Sequence, residues 1–337
     1  MKILGENIDR LCTVDMRLEG QSRGIMDHFL MAAVEKVGGP VALSAAERIM
    51  AEVKRGDVVA LTTGAFDTRY LPFGETDGPP GVAALARIIS YGLHAKPLLL
   101  GEKETLGPVE ACLKVTGLMV RDPEDAMIAP YTAMVEIYPP GEEEGQAKAR
   151  EIMDRFKPKA IIAAEKIGPN KNGILHSSTG IQCSAPYARI HHLFDLAREQ
   201  KVLTIGIGDN GNEIGYGTIA DTVRQHKPYG DVCQCECKGG IADTTVVDVI
   251  IPANISNWGA YGVEACLAAL LKDPDLMHGP EMERRMVEAS VKAGACDGAF
   301  GMLRLMVDGL PMEFHMSFVH LLQAMVQNKF KVRKRDF

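Results

Sequence analysis

Short apolar runs and amphipathic stretches alternate along most of the chain. Runs rich in β-branched residues predict buried strands, and apolar residues repeating every three or four positions predict helices. The predicted strands are 57–63, 96–100, 133–138, 159–164, 202–207 and 244–251; the predicted helices are 25–37, 44–55, 79–91, 103–116, 141–156, 184–200, one from 256, and 280–293. This alternation predicts an α/β fold with a mostly parallel sheet and helices on both faces, a three-layer α/β/α arrangement.

The chain is expected to form a single domain over residues 1–337. A helical N-terminal segment (1–55) and a helical C-terminal segment (272–337) would pack on an α/β core (56–271). No linker rich in proline or serine divides the chain, and no internal repeat is evident. The fold class therefore carries extra helices at both termini.

The turn after the predicted strand 202–207 is rich in glycine. Gly206, Gly208 and Gly211 form a G-x-G-x-x-G pattern, which in dinucleotide-binding proteins approaches a pyrophosphate. Here Asp209 and Glu213 would bring two carboxylates against two phosphates. That repulsion is tolerable only with a metal ion between them or with a cationic ligand group. We therefore expect no nicotinamide cofactor.

The same turn carries four polar side chains. If a helix has begun by Asp209, then Asp209 and Glu213 share one helical face and can bind one divalent cation. Alternatively, Asp209 only caps the following helix. A cap requires one polar residue, and this turn also carries Asn210 and Asn212, which favours a ligand site.

A second acidic pair, Glu75 and Asp77, lies in the long loop 64–78, just before the helix predicted from residue 79. Long loops between a strand and its helix are usually functional. Asp77 as a helix cap and a solvated Glu75 are the alternative. Because both strand-to-helix turns carry acidic pairs, the sequence predicts a divalent cation, Mn²⁺ or Mg²⁺, bound by Glu75, Asp77, Asp209 and Glu213.

Further polar residues lie at strand ends and helix starts. In open α/β sheets, ligands bind beyond the carboxyl ends of the strands. The residues expected to meet there are Thr63, Gly64, Glu165, Lys166, Asn257 and Asp297. Arg23, just before the helix 25–37, could bind a carboxylate or phosphate, or it could be an ordinary surface arginine.

Composition narrows the class of partner. The chain has 337 residues, of which 46% are hydrophobic and 24% charged, with a net charge of −7. An acidic balance argues against nonspecific nucleic-acid binding. No stretch is expected to span a membrane, and the N-terminus lacks a signal-peptide core, so a cytoplasmic location is expected. The expected partner is a small-molecule substrate, and a homo-oligomer is compatible with the sequence.

The eight cysteines are expected to be reduced in that compartment. Cys233, Cys235 and Cys237 form C-x-C-x-C, and alternation would place them on one face of a strand. A metal site is one interpretation, although the spacing differs from the C-x-x-C of zinc sites. Cys183 and Cys296 lie near polar glycine-rich segments, but no histidine is placed by the sequence to activate either as a nucleophile.

Six ordered motifs together resemble the C-terminal domain of D-glutamate cyclases. The resemblance covers roughly residues 22–310. The motifs are Thr62-Thr63-Gly64, GETDGPPG (74–81), EKIGPN (165–170), GIGDNGNEIGYG (206–217), SNWG (256–259) and CDG (296–298). The resemblance implies a lyase that converts D-glutamate to 5-oxo-D-proline with loss of water.

That reaction requires proton transfer from the amine and to the leaving oxygen. On this interpretation Asp209, Glu213, Glu165 and Asp297 are catalytic, and the predicted substrate-binding residues are Arg23, Thr63, Gly64, Lys166, Asn210, Asn212 and Asn257. Two alternatives stay open. One is a phosphohydrolase that uses Mn²⁺ or Mg²⁺ in the same acidic cluster. The other is a non-catalytic ligand-binding protein.

Overall fold

A computed structural model describes residues 1–19, 21–183 and 186–332. Within these residues one seven-stranded, all-parallel sheet forms the centre of the molecule. Its strands are β1 (Val58–Gly64), β2 (Lys96–Gly101), β3 (Met119–Val120), β4 (Thr132–Ile137), β5 (Ala160–Lys166), β6 (Leu203–Gly208) and β7 (Val249–Pro252). They lie in the order β3-β4-β2-β1-β5-β6-β7.

Helices cover both faces of the sheet, which confirms the predicted three-layer α/β/α class. They are α1 (Lys2–Cys12), α2 (Ile25–Val37), α3 (Val41–Glu52), α4 (Pro79–Gly92), α5 (Leu106–Val115), α6 (Pro123–Ile128), α7 (Glu142–Phe156), α8 (His191–Glu199), α9 (Ala220–His226), α10 (Ser256–Leu271), α11 (Pro280–Lys292) and α12 (Met312–Phe330). Helices at both termini pack on the core, as the sequence predicted.

Helix α10 is the most enclosed helix of the described chain. It packs against α1, α3, α4 and α12 and is buried from Ser256 to Ala269. Small residues along its length allow this close packing, and a helix that is apolar on all sides is expected to lie in a core. Its N-terminus points towards the carboxyl edge of the sheet, where it contributes to the site described below.

Two predicted elements differ most from the structure, whereas the helices predicted at 44–55 and 103–116 differ by about three residues at one or both ends. The helix predicted at 184–200 begins at His191, since residues 186–190 are not helical; Ser184 and Ala185 lie outside the described residues. The strand predicted at 244–251 begins only at Val249. In both cases the sequence pattern continues beyond the residues that form the helix or the strand. The flanking residues contact distant loops instead.

The expectation that no segment could span a membrane needs a correction. Residues 25–52 are long and apolar enough by composition, with a mean hydropathy of 1.3 in one window. The structure divides this segment at Gly38–Pro40 into α2 and α3, of 13 and 12 residues. Each is shorter than the about 20 residues that a membrane helix requires, and both contribute side chains to the core.

The strand order reverses between β1 and β5. In the sheet, β2, β4 and β3 lie in that order on one side of β1, whereas β5, β6 and β7 lie on the other side. Such a switch point opens a crevice at the carboxyl ends of the strands, where doubly wound proteins bind ligands. The pairing register also shifts here, between Thr62 and Gly64. Glu165, at the end of β5, has a φ of +52°, which is unusual for a residue other than glycine.

Candidate active site at the carboxyl edge of the sheet

A cavity of about 710 Å³ lies at this switch point. Polar groups of both signs line it. They are the carboxylates of Glu75, Glu165, Asp209 and Asp308, the cations of Arg17 and Lys227, and the amides of Asn210, Asn212 and Asn254. The loops after β1, β5, β6 and β7 supply most of these groups, as expected for strand ends that meet at one edge.

Arg17 and Asp209 form a buried ion pair in the cavity wall. The Arg17 guanidinium lies 2.7 Å from Asp209 Oδ2 and also donates to the Asp209 carbonyl and to Asn210 Oδ1. A buried pair of this kind is stable only when its remaining polar atoms are also satisfied. These bonds fix the first residues after β6 against the chain between α1 and α2.

Lys227 is the second cation of the cavity. Its Nζ donates to Ser22 Oγ (2.8 Å) and to Asn210 Oδ1 (2.7 Å). Burial, followed by the nearby charge of Arg17, lowers the pKa of Lys227 to about 8. Both hydrogen-bond acceptors are neutral. Among the described residues, no carboxylate lies within ion-pair distance of the ammonium.

Three carboxyl groups of the cavity bind protons more tightly than is usual for Asp and Glu. Burial, followed by repulsion from neighbouring carboxylates, raises the pKa values of Glu75, Glu165 and Asp308 well above their ordinary range. A carboxylic acid that keeps its proton at neutral pH can act as a general acid. Glu165 Oε2 also accepts a hydrogen bond from Ser256 Oγ, at the start of α10.

The turn after β6 is not the start of a helix, so that expectation is wrong. The next helical residues are the 3₁₀ turn Gly217–Ile219, followed by α9. Glu213 folds back instead, and its carboxylate accepts the N–H groups of Asp209, Asn210 and Gly211 at 3.2, 2.9 and 2.7 Å. Glu213 therefore shapes the turn that presents Asp209.

The G-x-G-x-x-G pattern has a packing explanation. A Cβ on Gly206 would lie 2.4 Å from the carbonyl oxygen of Ile214, and one on Gly208 would lie 2.7 Å from the Tyr216 ring. Gly211 has a φ of +93°, which disfavours a side chain. The glycines allow the turn to lie directly on its own strand.

Asp77 does not cap α4. Its carboxylate accepts the N–H groups of Ser256 (2.8 Å) and Asn257 (2.7 Å) at the start of α10, as well as that of Gly78. Burial, followed by repulsion from Asp209, raises its pKa to about 7 although these hydrogen bonds lower it. Helix N-termini favour a negative charge.

The predicted metal ligands do not all come together as one group. The carboxylate of Asp77 is hydrogen-bonded to the start of α10. By contrast, carboxylate oxygens of Glu165, Asp209 and Glu213 lie within 4.8 Å of one another. Three carboxylates are suitable donors for a hard divalent ion. The structure thus offers a group that could hold a metal, in a different combination from the predicted Glu75, Asp77, Asp209 and Glu213.

Several other predicted site residues lie behind the cavity wall. Asp297 is buried and accepts the N–H groups of Phe300 and Gly309 at 2.9 and 2.7 Å. Lys166 pairs with buried Glu102. These three contacts hold loops in place, so they support the cavity without lining it.

The remaining predicted residues also lie outside the cavity lining. Asn257 binds the N–H groups of Gly78 and Gly81 and thereby joins α4 to α10. Thr63 and Gly64 are the last two residues of β1, and the residues of this segment that line the cavity begin directly after them. Arg23 has 56% of its side chain exposed and donates to the Arg17 carbonyl at 2.8 Å, so it braces the residue that does line the cavity.

Arg17, Lys227, Asn254 and Asp308 are polar lining residues that sequence analysis missed. Asp308 lies at the tip of a two-stranded hairpin, β8 (Met306–Val307) and β9 (Leu310–Pro311). Asp308 and Gly309 have φ values of 50° and 79°, as a type I′ turn requires. The Asp-Gly pair between apolar residues was a signal for this hairpin, whereas Arg17 and Lys227 carry no local signal.

Buried groups that hold protons make stability depend on pH. The pKa of Asp77 is raised to about 7 and that of Asp243 to about 8, in both cases mainly by burial. Burial would lower the pKa of His278, but Glu264 and Glu283 raise it to about 9. In each case the folded state binds a proton more tightly than the unfolded chain, so the stabilisation is lost as the pH rises through these values.

We therefore expect the free energy of unfolding to fall by about 3 kcal/mol or more between pH 6 and pH 9, since one pKa unit corresponds to about 1.4 kcal/mol. Urea unfolding at pH 6, 7, 8 and 9 measures this. The Asp243→Asn variant should show a shallower decline, because it removes one of the titrating groups. A constant or rising stability over this range would contradict the expectation.

The fold and the cavity define a class: a doubly wound α/β protein with an acidic ligand cavity at its switch point. A family model described as "D-glutamate cyclase-like, C-terminal" matches residues 18–323. The chain belongs to this family. The match includes all the residues that line the cavity except Met16 and Arg17, and it confirms the resemblance seen in the sequence.

A curated human relative is named "D-glutamate cyclase, mitochondrial". It is 26% identical over 296 residues, which cover 80% of this chain and 45% of the human protein. The chain therefore spans about half the length of the curated relative that it matches. The cytoplasmic location of the present chain stays a prediction, since the human relative is named as a mitochondrial protein.

Proposed function

We propose that this protein is a lyase that converts D-glutamate to 5-oxo-D-proline and water. Membership of the D-glutamate cyclase-like family supports this proposal. The observation that carries it is the cavity itself, which is lined both by carboxylic acids with raised pKa values and by the Lys227 ammonium, which forms no ion pair among the described residues. A dehydrating cyclisation of an amino acid with two carboxylates needs both kinds of group.

Lys227 is suited to bind a substrate carboxylate. Its two hydrogen bonds are to neutral oxygens, so an incoming carboxylate would form a charge-assisted bond. The amides of Asn212 and Asn254 each have a buried Oδ1 that accepts no hydrogen bond from any residue the structure describes. Buried acceptors without partners are costly. We assign them to the ammonium group of the substrate, which donates hydrogen bonds and would satisfy both.

The acidic side chains supply the proton transfers. Cyclisation forms a bond between the amine nitrogen and the carbon of the γ-carboxyl group (Cδ) and breaks one of the two bonds from that carbon to oxygen. The ammonium loses two protons, and the leaving oxygen gains two and departs as water. We assign these transfers to Glu165 and Asp308, since both retain protons readily and both line the cavity. Asp209 accepts the hydrogen bond of the Arg17 guanidinium and orients the site.

A divalent ion is a separate part of the proposal. Glu165, Asp209 and Glu213 would hold Mn²⁺ or Mg²⁺, and oxygen donors fit either ion. When bound, such an ion would polarise the γ-carboxyl group. The assignment of proton transfer to Glu165 applies to the site without the ion, because a carboxylate that binds the ion could not also hold the proton. The roles of Asp308 and Lys227 are the same with or without the ion.

The experiment is a proton-NMR assay of the purified protein with D-glutamate, and with L-glutamate as the stereochemical control. Appearance of 5-oxoproline from the D-isomer, at a rate proportional to protein concentration, is the expected result. Repeating the assay after exhaustive chelation, with and without added Mn²⁺ or Mg²⁺, decides the role of the ion. No turnover of D-glutamate under any of these conditions would overturn the proposal.

A further inference from the structure

Three cysteines and one histidine converge outside the acidic cavity. Cys233 Sγ lies 3.3 Å from both Cys235 Sγ and Cys237 Sγ, and His176 Nε2 lies 3.2 Å from Cys235 Sγ and 3.6 Å from Cys237 Sγ. One ligand atom from each residue lies within 4.8 Å of the other three. The catalytic chemistry proposed above uses none of them.

The local structure that produces this cluster differs from the strand expected from the sequence. Residues 233–237 form bends and a turn, so the strand prediction is wrong. The loop folds so that alternate side chains point inwards, towards His176 on the hairpin of residues 174–183. The fourth ligand is therefore distant in sequence, which is why the C-x-C-x-C spacing alone gave no complete site.

We propose that Cys233, Cys235, Cys237 and His176 bind a single structural Zn²⁺ ion. Three thiolates and one imidazole are a recognised tetrahedral zinc set. With Zn–S bonds of about 2.3 Å, sulfur atoms in a tetrahedral site lie about 3.8 Å apart. The separations of 3.3 Å require only a small expansion around an ion. A cluster of several irons would need the thiolates further apart, because each binds its own iron.

Neighbouring groups already orient the four ligands. His176 Nδ1 lies 3.1 Å from the Ile174 carbonyl oxygen, and a hydrogen bond there directs Nε2 towards the sulfur atoms. Cys237 Sγ accepts the N–H of Gly239 (3.4 Å) and one from Asn170 Nδ2 (3.6 Å). N–H donors to sulfur favour the thiolate form that binds metal.

A disulfide does not explain the arrangement. The sulfur atoms are 3.3 Å apart, whereas a disulfide bond is about 2.05 Å long. A disulfide between any two of the three would also leave the third thiol and the His176 imidazole in close contact without a function. A single ion accounts for all four side chains at once.

The proposed ion would fix one wall of the acidic cavity. Ser177, Ser178 and Thr179 follow His176 and line the cavity. The His176 carbonyl accepts a hydrogen bond from Asn212 Nδ2 at 2.8 Å, so the ion would also stabilise the turn after β6. This is a positioning role, and it holds whether or not the substrate is D-glutamate.

The test is metal analysis of protein purified without a histidine tag, by mass spectrometry of the elements. We expect about one zinc per chain in the wild type. Zinc should be lost from Cys235→Ser and from His176→Asn. Cys183→Ser is the matched control, because Cys183 lies on the same hairpin but belongs to a different cluster, and it should retain zinc.

Two further measurements keep the test decisive if a variant folds poorly. Chelation of the wild type should lower its melting temperature, and one equivalent of Zn²⁺ should restore it. Replacement by Co²⁺ should give the visible absorption of a tetrahedral thiolate site. A wild type that takes up neither Zn²⁺ nor Co²⁺, that carries copper or iron instead, or whose Cys235→Ser variant retains the full zinc content would overturn the proposal.

Discussion

The Glu165→Gln variant is expected to lose about 10²- to 10⁴-fold in kcat on D-glutamate, the usual contribution of a general acid or base. Gln keeps the size of Glu165 and can still accept the hydrogen bond of Ser256 Oγ. It cannot carry a proton between the amine and the leaving oxygen. Steady-state rates of 5-oxoproline formation measure the effect, and the melting temperature should stay close to that of the wild type.

The matched control is Asp243→Asn. Asp243 is also a buried carboxyl group whose pKa burial raises, to about 8, and it accepts the N–H of Gly215 near the same turn. It does not line the cavity. We expect this control to keep kcat within a few-fold. Full activity in Glu165→Gln, or an equal loss in both variants, would refute the assignment of proton transfer to Glu165.

The Arg17→Met variant is expected to lose both stability and substrate turnover. Methionine fills much of the same space but leaves Asp209 as a buried carboxylate without its cation. Breaking one side of a buried ion pair typically costs about 3–5 kcal/mol. Urea unfolding measures the loss of stability, and NMR turnover of D-glutamate measures the loss of activity.

A second substitution separates the ion pair from the general effect of removing Arg17. In the double variant Arg17→Met with Asp209→Asn, no uncompensated carboxylate remains, so part of the stability should return. The double-mutant cycle should therefore give a coupling energy above about 1 kcal/mol. Simple additivity of the two single variants would show that the pair does not stabilise the fold, and activity is expected to stay low in all three.

The core of the fold could be predicted because its signals are local. Strands β1, β2, β5 and β6 are short apolar runs between turn residues, and α2 shows a regular apolar stripe. Hydrophobic periodicity reports such elements directly. The start of α8 was misplaced because sequence pattern does not reveal that residues 186–190 are fixed by other contacts, such as that of Tyr187 with Phe66.

The site was predicted in part, for a related reason. Strand ends correctly indicated where polar groups gather, so Asp209 and Glu165 line the cavity. Sequence could not show that Asp77 and Glu213 turn towards backbone N–H groups, since a carboxylate in a glycine-rich turn serves either purpose. Arg17 and Lys227 were missed because only the folded chain brings them to Asn210.

The cavity takes lining residues from both the first and the last parts of the described chain. Arg17 follows the first helix, and Asp308 lies at the tip of the hairpin just before the last one. During synthesis, the sheet and most of the acidic groups can form while the carboxyl-terminal residues are still in the ribosome. The set of ionisable groups in the cavity is complete only after Asp308 has emerged and docked, so a chain that has not yet reached the β8–β9 hairpin lacks part of the site.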